Sequence, residues 1–388
     1  MKILQIHNKY QLSGGEDSVV ENEKRLLESK GHEVFQYIKD NSEISNYSVF
    51  KKVALIQSSV WSNESYDEVI EIIKRIEPDI CHVHNYMPLI SPAVFYACKE
   101  VNIPVVQTLH NYRMLCTNAY LFRDGKVCEE CIDKSLYHSL KYRCYRNSII
   151  QTLTVARMIE QNKKKGTFNE EVDGYICLSN FARVKFIEGG LPKEKLFLKP
   201  NFLFEDPGYS DNEENYFFFA GRLDETKGVH ILIKVIKQLP GIKFKVAGEG
   251  PYQKKMIDIN NLEYKGHLIK DKLLQYLKNS VALIFPSVLY ETFGLLIIEA
   301  FACGKPVIAS RLGAMAELVE VGKTGLLFEP GSAKDLELKI KWAVENPEEI
   351  KQMGKNARRE YEMKYTASKN YSVLMDIYTQ VINNRVYE

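Results

Sequence analysis

Two glutamates, Glu291 and Glu299, stand eight residues apart in Pro286-Ser287-Val288-Leu289-Tyr290-Glu291-Thr292-Phe293-Gly294-Leu295-Leu296-Ile297-Ile298-Glu299-Ala300. Glu299 falls inside an otherwise apolar, helix-forming run, where a carboxylate is rarely buried without a partner. A ribose diol would be one such partner, and a lysine or arginine in a buried ion pair another. Upstream, Gly221-Arg222-Leu223-Asp224-Glu225-Thr226-Lys227-Gly228 follows an aromatic strand and opens a helix. Two cations at a strand-to-helix turn suit a diphosphate, aided by helix N-terminal amides. A solvated charged loop would read the same way. Gly294 would let the amides of a helix start approach an anion. His84 and Asn85, in Cys-His-Val-His-Asn-Tyr, and His110, in Gln-Thr-Leu-His-Asn-Tyr-Arg, close two neighbouring apolar runs. Imidazoles there can hydrogen-bond a hydroxyl or handle a proton.

Cys116, Cys128, Cys131 and Cys144 form a C-x11-C-x2-C-x12-C set. Four thiolates in a reducing compartment suit a structural Zn²⁺. Four independent thiols, or two disulfides in an oxidised sample, are the alternatives. Cys81, Cys98, Cys177 and Cys303 read as small core residues. Residues 134–166 carry eight Lys or Arg and one acid, with Tyr137, Leu140, Tyr142 and Tyr145 interleaved. That composition suits an anionic membrane surface or a solvated helix face. Gly322-Lys323-Thr324 lacks the upstream glycine of a P-loop, and Gly248-Glu249-Gly250 has Gln253 where a dinucleotide loop needs its third glycine.

These groups must be held by regular elements. Apolar runs at 2–7, 79–84, 105–110, 174–179 and 196–201 read as strands, and amphipathic stretches near 16–30, 65–76, 91–100, 147–165 and 180–189 as helices. After an acidic, aperiodic linker at 202–215 the alternation resumes. Strands fall at 216–221, 243–248, 263–267, 281–287, 306–310 and 325–329, with helices at 229–239, 268–277, 294–303 and 333–345. The tail from 347 to 386 is helical. Repeated β-α alternation predicts an α/β protein with two doubly wound parallel sheets and a central cleft. The length of 388 residues agrees with two domains. A net charge of +2 gives no global argument for nucleic acid. No run of about 18 apolar residues suggests a membrane span, and the N-terminal run is too short for a signal peptide. The expected location is cytoplasmic, at most peripheral on the inner face of the cell membrane.

The ordered set Gly-Arg-Leu…Lys-Gly, Val-Ala-Gly-Glu-Gly-Pro, Pro-Ser…Glu-x7-Glu, Ala-Phe-Ala-Cys-Gly-Lys-Pro-Val-Ile-Ala-Ser and Gly-Lys-Thr-Gly-Leu-Leu-Phe resembles glycosyltransferase family 4. That resemblance implies a retaining, metal-independent enzyme of GT-B fold, with two Rossmann-like domains at 1–203 and 204–365. A helix at 366–388 would cross back to the first domain. Arg222 and Lys227 would hold the donor diphosphate, Glu299 the ribose and Glu291 the donor sugar. The amides of Phe293, Gly294 and Leu295 would bind sugar or phosphate. Gly14 and Gly15 would form a loop over the diphosphate, or else a plain turn. His110 would serve catalysis with Arg222, Lys227 and Glu291, and His84, Asn85, His110 and Arg113 would line the acceptor side. A subset of the family shares His-Asn-Tyr-Arg…Cys…Phe-Arg-Asp-Gly-Lys…Cys-x-x-Cys…Arg-Cys-Tyr-Arg, implying a Zn²⁺-holding insertion at about 111–147. The implied partners are a UDP- or GDP-sugar, a glycan or lipid-linked acceptor of surface polysaccharide synthesis and an anionic membrane, with no nucleic acid. A GT-B nucleotide-sugar 2-epimerase, or a zinc-stabilised scaffold or nucleic-acid binder, are the competing readings.

Overall fold

The computed structural model describes residues 1–11, 14–210 and 214–386. Contacts divide the chain into two units. The first holds Met1–Leu121, Cys128–Phe204 and Asn370–Glu388; the second holds Phe122–Val127 and Glu205–Lys369. The strands are β1 Lys2–Lys9, β2 Glu33–Asp40, β3 Ile80–Asn85, β4 Val105–Leu109, β5 Phe122–Arg123, β6 Lys126–Val127, β7 Gly174–Cys177, β8 Leu196–Leu198, β9 Tyr216–Ala220, β10 Lys243–Ala247, β11 Leu262–Tyr264, β12 Ala282–Phe285, β13 Val307–Ser310 and β14 Gly325–Phe328.

In the first unit the order is β2-β1-β3-β4-β7-β8, with every pair parallel. Both faces are covered, so runs such as Val105-Val106-Gln107-Thr108-Leu109 are buried throughout. Strand β2 escapes the sequence pattern because it is an edge strand in which Tyr37 alone is buried. The sheet is built outward in opposite directions from β1 and β3, so the loops after these two strands diverge and leave a crevice.

The second unit repeats the plan as β11-β10-β9-β12-β13-β14, again all parallel. Its core gathers Phe217 and Phe219 of β9 with Leu232, Ile236, Phe244, Ile284 and Phe328. Here the direction reverses between β9 and β12, the strands that precede Arg222 and Glu291.

Two further features depart from the sequence pattern. The helical tail is two helices, Pro347–Lys364 and Ala367–Val386. The second lays Leu374, Ile377, Tyr378 and Val381 against Ile3, Leu27, Ile80, Val106 and Ile176 of the first unit. Within the 111–147 insertion, β5 and β6 form an antiparallel hairpin. Its loop, Asp124-Gly125, has φ of 52° and 76°, the positive angles of a tight primed turn. The hairpin groups with the second unit, where Phe122 joins the core.

Candidate functional site

In the second unit, two loops leave the carboxyl ends of β9 and β12 at the crevice. Asp224 organises the first: its Oδ1 accepts from Thr226 Oγ1 at 2.5 Å and from the Lys227 amide at 3.1 Å. Gly228 then opens the helix Val229–Gln238 with φ of 68°. A Cβ there would lie 1.9 Å from the Pro286 carbonyl oxygen, so only glycine lets the two loops meet. The Val288 amide donates to the Thr226 carbonyl at 2.9 Å and locks them together. Lys227 Nζ consequently reaches Glu291 Oε1 at 2.5 Å, and Ser287 Oγ donates to the same oxygen at 2.8 Å. The Arg222 guanidinium extends outward with 54% of its side chain exposed; its Nε lies 3.4 Å from Asp224 Oδ2.

Glu299 sits in the short helix Leu295–Ala302 and is buried. Lys270 pairs with its carboxylate from outside, the lysine side chain being 54% exposed. Burial pushes the Glu299 carboxyl upward in pKa and Lys270 pulls against it. Of the two partners open to Glu299 on sequence grounds, the lysine is therefore present. Gly294 precedes this helix with φ of 118°, and Phe293 is buried edge-on to Tyr365. Lys227 and Glu291 thus meet, with Arg222 on the same turn and Glu299 on the adjoining helix. The Gly248-Glu249-Gly250 pattern has a packing role: a Cβ on Gly248 would lie 1.8 Å from the Gly221 carbonyl oxygen.

In the first unit, His7 lies near the end of the buried part of β1 and meets Asp17 Oδ1 through Nε2 at 2.7 Å. Asp17 Oδ2 accepts from the Gly14 amide at 3.0 Å, at the start of the helix Gly15–Ser29. A Cβ on Gly14 would meet nothing within 4 Å, so packing alone does not demand glycine there. Leu12 and Ser13 of this loop lie outside the described residues. Tyr10 donates to Glu16 Oε2 at 3.0 Å, and Asn111 Nδ2 to the Tyr10 oxygen at 3.1 Å. Burial pushes the Glu16 carboxyl up to about 8.

The residues that the resemblance places on the acceptor side have differing surroundings. Asn85 joins the ends of β1 and β3, donating to the Asn8 carbonyl at 2.7 Å and accepting from the Met87 amide at 3.0 Å. Arg113 Nη1 donates to the Thr117 carbonyl at 2.6 Å and its guanidinium lies over Tyr145. His84 is only 3% exposed and sits behind His110, with 3.0 Å between its Nδ1 and His110 Nε2. Burial lowers the pKa of His84 to about 3 and that of His110 well below the usual imidazole range. Behind them lie Glu23, His82 and Lys199, all buried and all absent from the sequence candidates.

All eight cysteines are free thiols. Cys116 and Cys131 are buried, and Cys128 and Cys144 half-buried. Burial pushes the Cys131 thiol up to about 12, and nearby Cys116, Cys144 and Cys128 add to the shift. The four therefore share one neighbourhood. Among the described residues, however, the metal-ligating atoms that converge within 4.8 Å belong to Glu23, His82 and His84, and the cysteines do not form such a set. Zinc at about 2.3 Å from each sulfur needs tighter convergence.

The basic segment occupies a 3-10 turn, Leu136–Tyr142, and the helix Ile149–Lys164. Glu160 tethers them by accepting from Ser135 Oγ at 2.9 Å and the Leu136 amide at 2.5 Å. Ile149, Ile150 and Leu153 are exposed on that helix, and the adjoining helix Val49–Ser58 exposes Val49, Val53 and 88% of Phe50. Lys163 is partly withdrawn, and burial lowers its pKa. No helix among the described residues is long and apolar enough to cross a membrane.

Two family models match consecutive stretches: Glycosyltransferase Family 4 over residues 13–203 and Glycosyl transferases group 1 over 204–360. The chain is 29% identical over 235 residues to the uncharacterized glycosyltransferase MJ1178 of Methanocaldococcus jannaschii, covering 58% of this chain and 66% of that one. It is 27% identical over 264 residues to an uncharacterized 42.6 kDa protein in the cps region of Klebsiella pneumoniae, covering 66% and 63%. The match thus spans somewhat less than two thirds of these curated relatives. Among solved structures, Anabaena Alr3699/HepE in complex with UDP superposes with a TM-score of 0.68 at 18% identity, covering 98% of this chain and all of that one. That likeness speaks to the fold.

Proposed function

We propose that the chain is a glycosyltransferase of GT-B fold, similar to family 4, that moves a sugar from a nucleoside diphosphate sugar to a glycan or lipid-linked glycan with retention at the anomeric carbon. The observation that carries this reading is the meeting of Lys227 and Glu291, at 2.5 Å, where the strand order reverses between β9 and β12, with Arg222 on the same turn. Departure of the diphosphate builds negative charge on its oxygens. Fixed cations at that point stabilise it in the transition state without a divalent ion. Glu291 holds Lys227 in place and offers its second oxygen to sugar hydroxyls. Glu299 accepts from the ribose hydroxyls. His110 hydrogen-bonds a hydroxyl of the donor sugar or the acceptor.

HepE's complex with UDP favours a uridine diphosphate donor, and the cps-region relative suits surface polysaccharide synthesis. The exposed apolar residues beside Lys51, Lys52 and the basic segment suit a seat on an anionic lipid surface. A Zn²⁺ would be held by Cys116, Cys128, Cys131 and Cys144, drawn closer than they stand, and would stiffen the insertion without entering the chemistry.

Thermal unfolding with UDP-, GDP- and dTDP-sugars tests the donor assignment, because a ligand bound to the folded state raises stability with its concentration. One nucleotide class should raise Tm and support transfer to an added acceptor. No response to any of the three removes the donor reading. Epimerised donor, formed without acceptor, replaces transfer by epimerisation.

A further inference from the structure

We infer that Lys270 is a positioning residue of the donor site that acts through Glu299: its ammonium is the counter-charge that lets a nearly buried carboxylate accept from the ribose hydroxyls. This rests on reading Glu299 as the ribose acceptor. Glu299 is the one charged residue of the helix Leu295–Ala302, and Ile297, Ile298, Ala300, Phe301 and Ala302 around it are fully buried. Among the described residues its side chain bonds to Lys270, through Oε1. An isolated carboxylate in such a setting would take up a proton rather than stay charged. A protonated carboxyl has one oxygen occupied as a donor and accepts weakly. An ionised one has acceptor sites on both oxygens, so two hydroxyls can be bound beside the lysine.

The lysine's own place argues the same way. Lys270 is the first residue of the helix Lys270–Asn279, where the positive end of the helix dipole disfavours a cation. Local helix chemistry therefore gives no reason for a lysine there, and the contact across to a second helix does. The helix follows β11, so Lys270 stands beyond the carboxyl edge of the sheet, the edge that Arg222 and Glu291 also leave. The other charged groups near Glu299 are committed elsewhere. Lys278 donates to the Pro207 carbonyl. Arg358, on the helix Pro347–Lys364 packed alongside, is divided between Asp206, Glu362 and the Ala302 carbonyl. Lys305, beyond the helix end, acts on the Cys303 thiol, which burial pushes up to about 12 and so keeps neutral. Strands β12 and β13 bring no charged side chain to this helix. Burial pushes the Glu299 carboxyl up in pKa, and Lys270 is the charge that pulls it back.

Lys270→Met removes the charge at a side chain more than half exposed, so the variant should fold. Calorimetric titration of the full chain with UDP across pH, with variant and wild type compared at each pH, cancels the ionisation of UDP itself. In the wild type Kd rises as pH falls through the Glu299 pKa. In Lys270→Met that rise should begin about one pH unit higher, the low end for an ion pair because the lysine is so exposed. Kd should there be about tenfold weaker than in the wild type. Lys270→Arg should restore the wild-type profile. In Glu299→Gln, which has no charge to hold, adding Lys270→Met should change Kd by less than about twofold. Without ligand, Lys270→Met and the wild type should melt together at acid pH, where Glu299 is protonated in both, and part as pH rises, the variant lower. An unshifted profile in Lys270→Met overturns the inference. Tighter binding by that variant overturns it too, because the lysine would then be blocking the site. So does an equal loss of affinity in the Glu299 and Glu299→Gln backgrounds, which would mean direct contact with the nucleotide. A wild type that binds UDP no better than Glu299→Gln removes the ribose reading itself, whatever the melts show.

Discussion

Glu299→Gln separates binding from folding. The carboxylate is 5% exposed and paired with a lysine that is more than half exposed. Burial raises its pKa, so the stability it contributes is present below the ordinary glutamate range and is lost as pH rises through the raised folded value. At pH 7 the ionised group opposes folding, and its exposed partner Lys270 can hydrate if released. Loss of the charge leaves no ion buried without a partner, since Lys270 lies more than half exposed. The isosteric amide should therefore fold as well as the wild type or better. Nucleotide binding should respond differently. Hydrogen bonds to a charged acceptor contribute about 1.5–3 kcal/mol and neutral ones about 0.5–1.5. Two ribose hydroxyls would lose about 2–3 kcal/mol together, roughly 30- to 150-fold in Kd. Calorimetric titration with UDP, alongside thermal unfolding at the same pH, measures both. An unchanged Kd, or a weakened Kd accompanied by an equal loss of stability, refutes the ribose role.

Four further outcomes follow from other parts of the molecule. Lys227→Ala should cut kcat by about 100-fold or more while changing donor Kd less, because its charge counts most as the diphosphate departs; equal losses measured in kinetics and titration would contradict this. Glu16→Gln should flatten the pH dependence of stability. Its carboxyl is pushed from 4.5 to about 8, so wild-type stability falls as pH rises across that window, by up to about 1.4 kcal/mol per pH unit. Melting curves across it would show the difference. Elemental analysis should find about one Zn per chain, lost in Cys128→Ser/Cys131→Ser together with part of the thermal stability; a metal-free wild type with the same Tm after chelation removes the zinc proposal. Phe50→Glu should lower co-sedimentation with anionic vesicles several-fold while leaving transfer to a soluble acceptor intact.

The two sheets were legible because parallel strands buried on both faces read as short apolar runs, as in Val307-Ile308-Ala309-Ser310. What the pattern hid was set by position in the sheet and by distant partners. Strand β2 has its apolar residues half-exposed at an edge. The break at Tyr365 and Thr366 carries no proline or glycine. The turn at Arg222–Lys227 was legible as a cation-bearing loop, since its glycines and its place after β9 are local features. Its contact with Glu291 depends on β9 and β12 being neighbours, which local pattern does not specify. Lys270 lies on another helix from Glu299, and nothing local links them. Glu23 is harder still, because Glu21, Glu23 and Lys24 together look like a solvated face. Its one signal is that it keeps phase with Val19, Val20, Leu26 and Leu27.

The hairpin at Asp124-Gly125 bears on how such enzymes can be recombined. Phe122, 9% exposed, fills part of the second unit's core although it belongs to a segment bracketed by the first. The last helix likewise covers apolar residues of the first unit although it follows the second. Neither unit is one continuous stretch of chain. A graft that exchanges 205–369 alone would carry a hole shaped for a phenylalanine from elsewhere. Exchange of the second unit between relatives therefore calls for a matched set: the long segment, the six-residue hairpin and the two junctions that flank it.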